Sequence, residues 1–137
     1  MTFVDTSALL AILDRRDPRN LEAVALWNQL LDSGEELFTT NYVIVETAAL
    51  LQNRLGFEAA RGLLNDAMAV SAARWIDGGL HQEAVESYLA AGRRKSSLVD
   101  CASFAAMHEA GCRRAFAFDK HFQEAGFELL RYGRESN

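Results

Sequence analysis

A chain of 137 residues is close to one domain's worth, for which about 150 residues is the working figure. Half of the residues are hydrophobic and 24% are charged, which supplies a core and excludes a disordered chain. Fourteen basic residues against nineteen acidic ones leave a net charge of −5, which argues against holding nucleic acid by bulk positive charge but leaves a local basic patch open.

The chain opens with a short apolar run, Thr2–Asp5, that reads as a buried strand, and Ser7–Leu13 reads as a short helix directly after it. Asp17 before Pro18 predicts a helix start, with a carboxylate cap and a proline at the first helical position. Leu21, Val24, Ala25, Leu26 and Leu31 carry that helix forward until Gly34 ends it. Leu37–Thr40 is a second strand, and Asn41 is placed to cap a helix that runs to about Leu55. A further helix covers about Phe57–Val70, weakened by Gly62. Ala73–Ile76 is a third strand, after which Asp77 and the Gly78-Gly79 pair open a helix closed by Gly92. Arg93-Arg94-Lys95-Ser96-Ser97 forms a polar, basic loop. Leu98–Ala110 is helical with Gly111 as its stop, Ala115–Phe118 is a fourth strand, His121–Ala125 a short helix and Phe127–Leu130 a candidate fifth strand. Short, continuously apolar strands that alternate with helices indicate an α/β chain. The expected architecture is three layers, α/β/α, around a mainly parallel sheet of four to five strands. The only proline is Pro18 and no low-complexity tract divides the chain, so residues 1–137 read as a single domain.

Four carboxylates stand where carboxylates are expensive. Asp5 ends the first strand, at the edge of an open α/β sheet where ligands bind, although it or Thr6 can equally cap the next helix. Glu46 is flanked at helical spacing by Tyr42, Val43, Ala49 and Leu50, so its own helix offers no basic partner. It must pair with an arginine elsewhere, shift its pKa or bind a cation. Asp100 interrupts an apolar helix, yet Ser97-Leu98-Val99-Asp100 also fits a capping box. Asp119 follows the fourth strand and can likewise be a cap. If the strands are parallel, all four converge on one edge. Two like charges about 5 Å apart repel by roughly 3 kcal/mol at an effective dielectric of 20, and a divalent cation relieves that conflict. All-oxygen ligation suits Mg²⁺ or Mn²⁺.

Four segments in order, Phe3-Val4-Asp5-Thr6-Ser7-Ala8, Val45-Glu46-Thr47, Leu98-Val99-Asp100-Cys101-Ala102 and Phe118-Asp119-Lys120-His121-Phe122, resemble the motifs of the PIN domain. More narrowly, the chain from Thr2 to about Leu130 is similar to the compact toxin ribonucleases of VapBC-type toxin–antitoxin pairs. The resemblance implies a Mg²⁺- or Mn²⁺-dependent endoribonuclease in which Asp5, Glu46, Asp100 and Asp119 are the catalytic, metal-binding acids. It gives a supporting role to the hydroxyl of Ser7 and, less directly, to that of Thr6. It also implies a small antitoxin partner and a homodimer. Many relatives carry a further acid two positions after the fourth, where this chain has His121, which puts a second complete metal site in doubt.

The implied chemistry is hydrolysis of an RNA phosphodiester by an activated water, leaving 5′-phosphate and 3′-hydroxyl ends. Arg93, Arg94 and Lys95 lie just before Asp100 and are candidates for RNA contact, or simply a solvated loop. Arg113 and Arg114 fall at the opposite end of their strand from Asp119. Competing readings are a scaffold or RNA-docking module without activity, and a housekeeping RNA-processing nuclease without an antitoxin. Paired imidazoles are not signalled by His81, His108 and His121, though His121 stands close enough to Asp119 to touch the site. A phosphatase of the haloacid-dehalogenase type needs a second aspartate where Ser7 stands. Cys101 and Cys112 make neither a disulfide framework nor a zinc set. The apolar residues Trp27, Leu30, Tyr42, Leu51, Leu55 and Phe57 fill a core or line a groove for the antitoxin. No run of about 18 uncharged apolar residues is present and no basic segment precedes an apolar stretch at the start, so a cytoplasmic protein without a membrane span is expected.

Overall fold

The computed structural model describes residues 1–92 and 96–132. Five strands, β1 (Thr2–Val4), β2 (Leu37–Thr40), β3 (Ala72–Arg74), β4 (Arg114–Phe116) and β5 (Glu128–Leu129), form one sheet in the order β3-β2-β1-β4-β5. Every pairing is parallel. Seven helices flank the sheet among the described residues: α1 (Thr6–Leu13), α2 (Asn20–Asp32), α3 (Asn41–Leu55), α4 (Phe57–Asn65), α5 (Gly78–Ala91), α6 (Leu98–Ala110) and α7 (His121–Glu124). None of them is long and apolar enough to cross a membrane.

The strand order decides where a ligand goes. From β1 the chain steps outward to β2 and β3, then returns to the other side of β1 for β4 and β5. Connections therefore leave β1 and β4 in opposite directions, and a crevice opens beyond their carboxyl ends. Asp5 follows β1 and Asp119 lies three residues after β4, so both acids border that crevice.

Phe3, Val4, Leu9, Leu51, Leu63, Met107, Phe116 and Phe122 are fully buried in the main cluster. Phe122 joins its two sides, with ring centroids 5.8 Å from Phe3 and 5.1 Å from Phe104. A smaller cluster of Ile76, Leu80, Ala84, Cys101, Ala102, Ala105 and Ala106 seals α5 against α6. Of the apolar residues of the first half, Leu30 and Leu51 are core, whereas Phe57 is exposed.

Several boundaries differ from those the sequence suggests, each for a local reason. The helix expected at Asp17-Pro18 begins at Asn20 instead. The Asp17 carboxylate accepts the N–H of Arg19 at 2.8 Å in a turn, and the Asn20 side chain donates to the carbonyls of Ala11 and Ile12, tying the start of α2 to the end of α1. Thr40, not Asn41, caps α3 by accepting from Val43 N–H at 3.2 Å. Asn41 reaches across to accept the Ile76 N–H at 2.6 Å. That contact explains why the third strand stops at Arg74, since β2 turns into helix after Thr40 and offers residues 75–76 no ladder. The fourth strand ends at Phe116 rather than Phe118, whose N–H has left the sheet for the Ser7 hydroxyl. The helix expected to reach Val70 breaks after Asn65 and resumes as a short 3₁₀ turn, Ala67–Ala69. Asn and Asp at positions 65 and 66 compete with the helical backbone for hydrogen bonds.

Candidate active site

Asp5 occupies the N-cap of α1, where its Oδ2 accepts the backbone N–H of Ser7 at 3.1 Å and the Ser7 hydroxyl at 2.7 Å. It is 5% exposed. Burial pushes its pKa up to about 6; the bonds from Ser7 oppose that rise and the charge of Asp100 adds to it. A carboxylate in this position caps a helix, but capping alone leaves a charge poorly solvated. The Ser7 hydroxyl also accepts the Phe118 N–H at 3.0 Å. Ser7 thus joins the end of β1 to the segment that carries Asp119.

Glu46 projects from the second turn of α3 and is half-buried. Its pKa is raised by desolvation and then by Asp100, with the Thr6 hydroxyl pulling the other way. Thr6 itself accepts from the Thr47 hydroxyl at 3.0 Å, a buried contact that clamps α3 to α1 beside the acids. That gives Thr6 a part in holding Glu46 in place.

Asp100 is both a cap and a member of the cluster. Ser97 and Asp100 form the reciprocal capping box, with Asp100 N–H donating to the Ser97 hydroxyl at 3.1 Å and Ser97 N–H to Asp100 Oδ2 at 3.0 Å. The same Oδ2 lies 3.1 Å from His121 Nδ1. Asp119 Oδ1 accepts the His121 N–H at 2.9 Å and stands 3.0 Å from His121 Nδ1. One ligand atom from each of Asp100, Asp119 and His121 lies within 4.8 Å of the others. Opposite ligands of a Mg²⁺ ion at its usual 2.0–2.1 Å bond lengths stand roughly 4 Å apart, so these three donors are near the spacing at which one divalent cation would be shared.

The geometry therefore brings Asp100, Asp119 and His121 into contact, with Asp5 and Glu46 beside them and each raised by the charge of Asp100. Among the described residues, no lysine or arginine forms an ion pair with any of the four acids. The sequence candidates Arg93, Arg94 and Lys95 lie outside the described residues. His81 is exposed on α5 and hydrogen-bonds the Tyr42 hydroxyl, and His108 stacks on Phe127, with ring centroids 5.0 Å apart, so neither pairs with His121. One nearby cation escaped the sequence reading. The guanidinium of Arg19 lies 5.1 Å from the centroid of the Phe118 ring, next to Asp119. A helix starting at Asp17-Pro18 puts it in the first turn with nothing to single it out; the signal that could have found it is the density of arginine at positions 15, 16 and 19.

Residues 2–128 match the model of the PIN domain. The chain belongs to the PIN domain family. Its PIN domain is 34% identical over 132 residues to the 23S rRNA-specific endonuclease VapC20 of Mycobacterium tuberculosis, in a match covering 96% of this chain and 98% of that one. The crystal structure of VapC20, described as a sarcin–ricin loop cleaving toxin, superimposes with a TM-score of 0.85 at 33% identity, over 96% of this chain and 99% of that one. A VapC ribonuclease of Aquifex aeolicus is 24% identical over 99% of this chain and all of its own length. FitAcB of Neisseria gonorrhoeae shares the fold, with a TM-score of 0.71 at 14% identity over 96% of this chain and 97% of that one.

Proposed function

We propose that this PIN-domain protein is a divalent-metal-dependent endoribonuclease and the toxin of a type II toxin–antitoxin pair. The observation that carries the reading is the cluster of Asp100, Asp119 and His121, with Asp5 close enough to feel the charge of Asp100 and with no lysine or arginine paired to these acids among the described residues. Asp100 repels both Asp5 and Glu46, a costly arrangement in a domain stabilised by about 5–15 kcal/mol overall, and a cation would relieve it. The likeness to VapC20 over nearly the full length of both chains supports the same assignment.

Asp100 and Asp119 would hold Mg²⁺ or Mn²⁺, with His121 in reach as a third donor and with Asp5 and Glu46 beside them. When bound, such an ion lowers the pKa of water and neutralises charge on a phosphate. The protein's own residues do the rest. Ser7 fixes the rotamer of Asp5 and the position of the Asp119 segment together. Glu46, held in a poorly solvated position beside Thr6, is suited to accept a proton from an attacking water. The α6 capping box keeps Asp100 from swinging away. Phosphodiester hydrolysis of this kind leaves 5′-phosphate and 3′-hydroxyl ends.

VapC20 cuts the sarcin–ricin loop, which makes a hairpin of that sequence from 23S rRNA the first substrate to try. A cytoplasmic homodimer restrained by a small antitoxin completes the proposal. Its test is cleavage of that hairpin and of total RNA with Mg²⁺, with Mn²⁺ and with chelator, by wild type and Asp5→Asn side by side. Cleavage that needs metal, is lost in Asp5→Asn and leaves 5′-phosphate ends is expected. Equal activity in both proteins, or 2′,3′-cyclic phosphate ends, overturns the assignment.

A further inference from the structure

We propose that Arg19 is an RNA-contacting residue on the rim of the acidic site, binding a backbone phosphate beside the one that is cut; the inference rests on the nuclease reading above. The connection from α1 to α2 is short and internally tied. Asp14 Oδ1 accepts the Arg16 N–H at 2.9 Å, Asp17 Oδ1 accepts the Arg19 N–H at 2.8 Å, and Pro18 between them fixes its own φ. The Asn20 side chain then locks the turn to the last carbonyls of α1 at 2.8 and 3.2 Å. Arg19 is thereby carried on a rigid turn although it lies on the surface.

Its side chain lies over the ring of the residue that precedes Asp119. The guanidinium carbon stands 5.1 Å from the Phe118 ring centroid. The N–H of Phe118 bonds the Ser7 hydroxyl, which bonds Asp5, and the next residue is Asp119. Phe118 is thus tied to both acids, to Asp119 through the chain and to Asp5 through Ser7, while its ring carries Arg19. The two nearby carboxylates in the turn do not claim the guanidinium: Asp17 is engaged by the backbone N–H of Arg19, and Asp14 faces Arg16 at 3.6 Å. Among the described residues, Arg19 makes no ion pair.

Arginine suits this place. A guanidinium lying on an aromatic face keeps its in-plane N–H groups for a second partner, and that fork matches two phosphate oxygens. An RNA strand entering a cluster of carboxylates is repelled at every phosphate except the one neutralised in the centre. A cation on the rim offsets that repulsion for a neighbouring phosphate without entering the chemistry.

The experiment compares wild type, Arg19→Ala and Arg19→Lys on a labelled sarcin–ricin loop hairpin and on an unstructured RNA of equal length. It measures binding in Ca²⁺ across a series of salt concentrations, and steady-state cleavage in Mg²⁺. Arg19→Ala is expected to raise KM and the dissociation constant roughly tenfold with kcat little changed. It should also flatten the dependence of log affinity on log salt by about one unit. Arg19→Lys should restore the salt slope but only part of the affinity, because it keeps the charge and loses the fork. Wild type that neither binds nor cuts either RNA removes the nuclease reading, and this inference with it. Wild type that cuts, beside an Arg19→Ala protein with the same KM and the same salt slope, overturns the Arg19 assignment alone. Unchanged RNA binding together with weakened inhibition by the antitoxin overturns it too, and moves Arg19 to a protein interface.

Discussion

The Ser7 hydroxyl donates to Asp5 Oδ2 at 2.7 Å, and with its lone pairs it takes the N–H of Phe118 at 3.0 Å. One oxygen atom thus sets the spacing between the acid after β1 and the segment bearing the acid after β4. Ser7→Ala leaves the Phe118 N–H without this acceptor and Asp5 with one hydrogen bond fewer. The expected cost is about 1–3 kcal/mol of stability, read from urea denaturation. Cleavage should fall well beyond what that stability loss explains at saturating metal, while Ser7→Thr keeps most of it. Full activity in Ser7→Ala would show that the two acids are spaced by other means.

The buried Asp5 carboxyl makes stability depend on pH in a direction opposite to a salt-bridged acid. Its folded pKa of about 6 lies above the ordinary value of 3.8, so the folded state holds this proton more tightly than the unfolded chain does. The stabilisation is complete below pH 3.8 and is lost as pH rises through 6. Asp5→Asn never ionises. In chelator at pH 8, it should therefore exceed wild type in stability by an amount on the order of 3 kcal/mol, and the gap should close below pH 4. Adding Mg²⁺ at pH 8 should raise the melting temperature of wild type and leave that of Asp5→Asn nearly fixed. Thermal melts at several pH values check all three statements, and a wild type more stable than Asp5→Asn in chelator at pH 8 contradicts them.

His121 brings an imidazole to a place where Asp100 and Asp119 alone would offer only oxygen. Nitrogen donors favour later divalent metals over Mg²⁺, whereas an added carboxylate favours Mg²⁺. His121→Asp is expected to tighten Mg²⁺ binding severalfold and to narrow the advantage of Mn²⁺, as measured by calorimetric titration of each ion. Identical Mn²⁺-to-Mg²⁺ affinity ratios in the two proteins would remove His121 from the ligand set.

Much of this site is legible in the sequence, because an isolated acid at the end of a short apolar run is conspicuous. Asp5 and Asp119 stand out in that way, and the capping box at Ser97 and Asp100 is readable from spacing alone. What spacing does not carry is that one oxygen of Asp100 serves both the cap and His121, since the second contact spans 21 residues of chain. The start of α2 departs from the sequence expectation for a related reason. Asp17-Pro18 satisfies the local rules for a helix cap, but the tie from Asn20 to the end of α1 moves the helix start to position 20 and releases Arg19 to face Phe118. Strand ends slipped as well. Where a strand stops depends on its neighbour, as the contact between Asn41 and Ile76 illustrates at the end of β3.

The last prediction concerns packing that reaches the chemistry. The helix α7 has only four residues, too few to persist on its own, and it carries His121 at its start. Phe122 anchors it with a side chain fully out of water, set among Phe3, Phe104 and Phe127 at centroid distances of 5.8, 5.1 and 6.4 Å. Phe122→Ala should cost about 3–5 kcal/mol, the usual range for emptying such a site. Phe122→Leu should cost less, because it refills most of the volume. With α7 loosened, His121 and the Asp119 carboxylate it engages lose their fixed position, so metal affinity should fall in Phe122→Ala even in the fraction that remains folded. Calorimetric metal titration at low temperature, beside circular dichroism to count folded protein, separates the two effects. Metal affinity per folded molecule equal to that of wild type would mean that the acids are held by β4 and Ser7 alone.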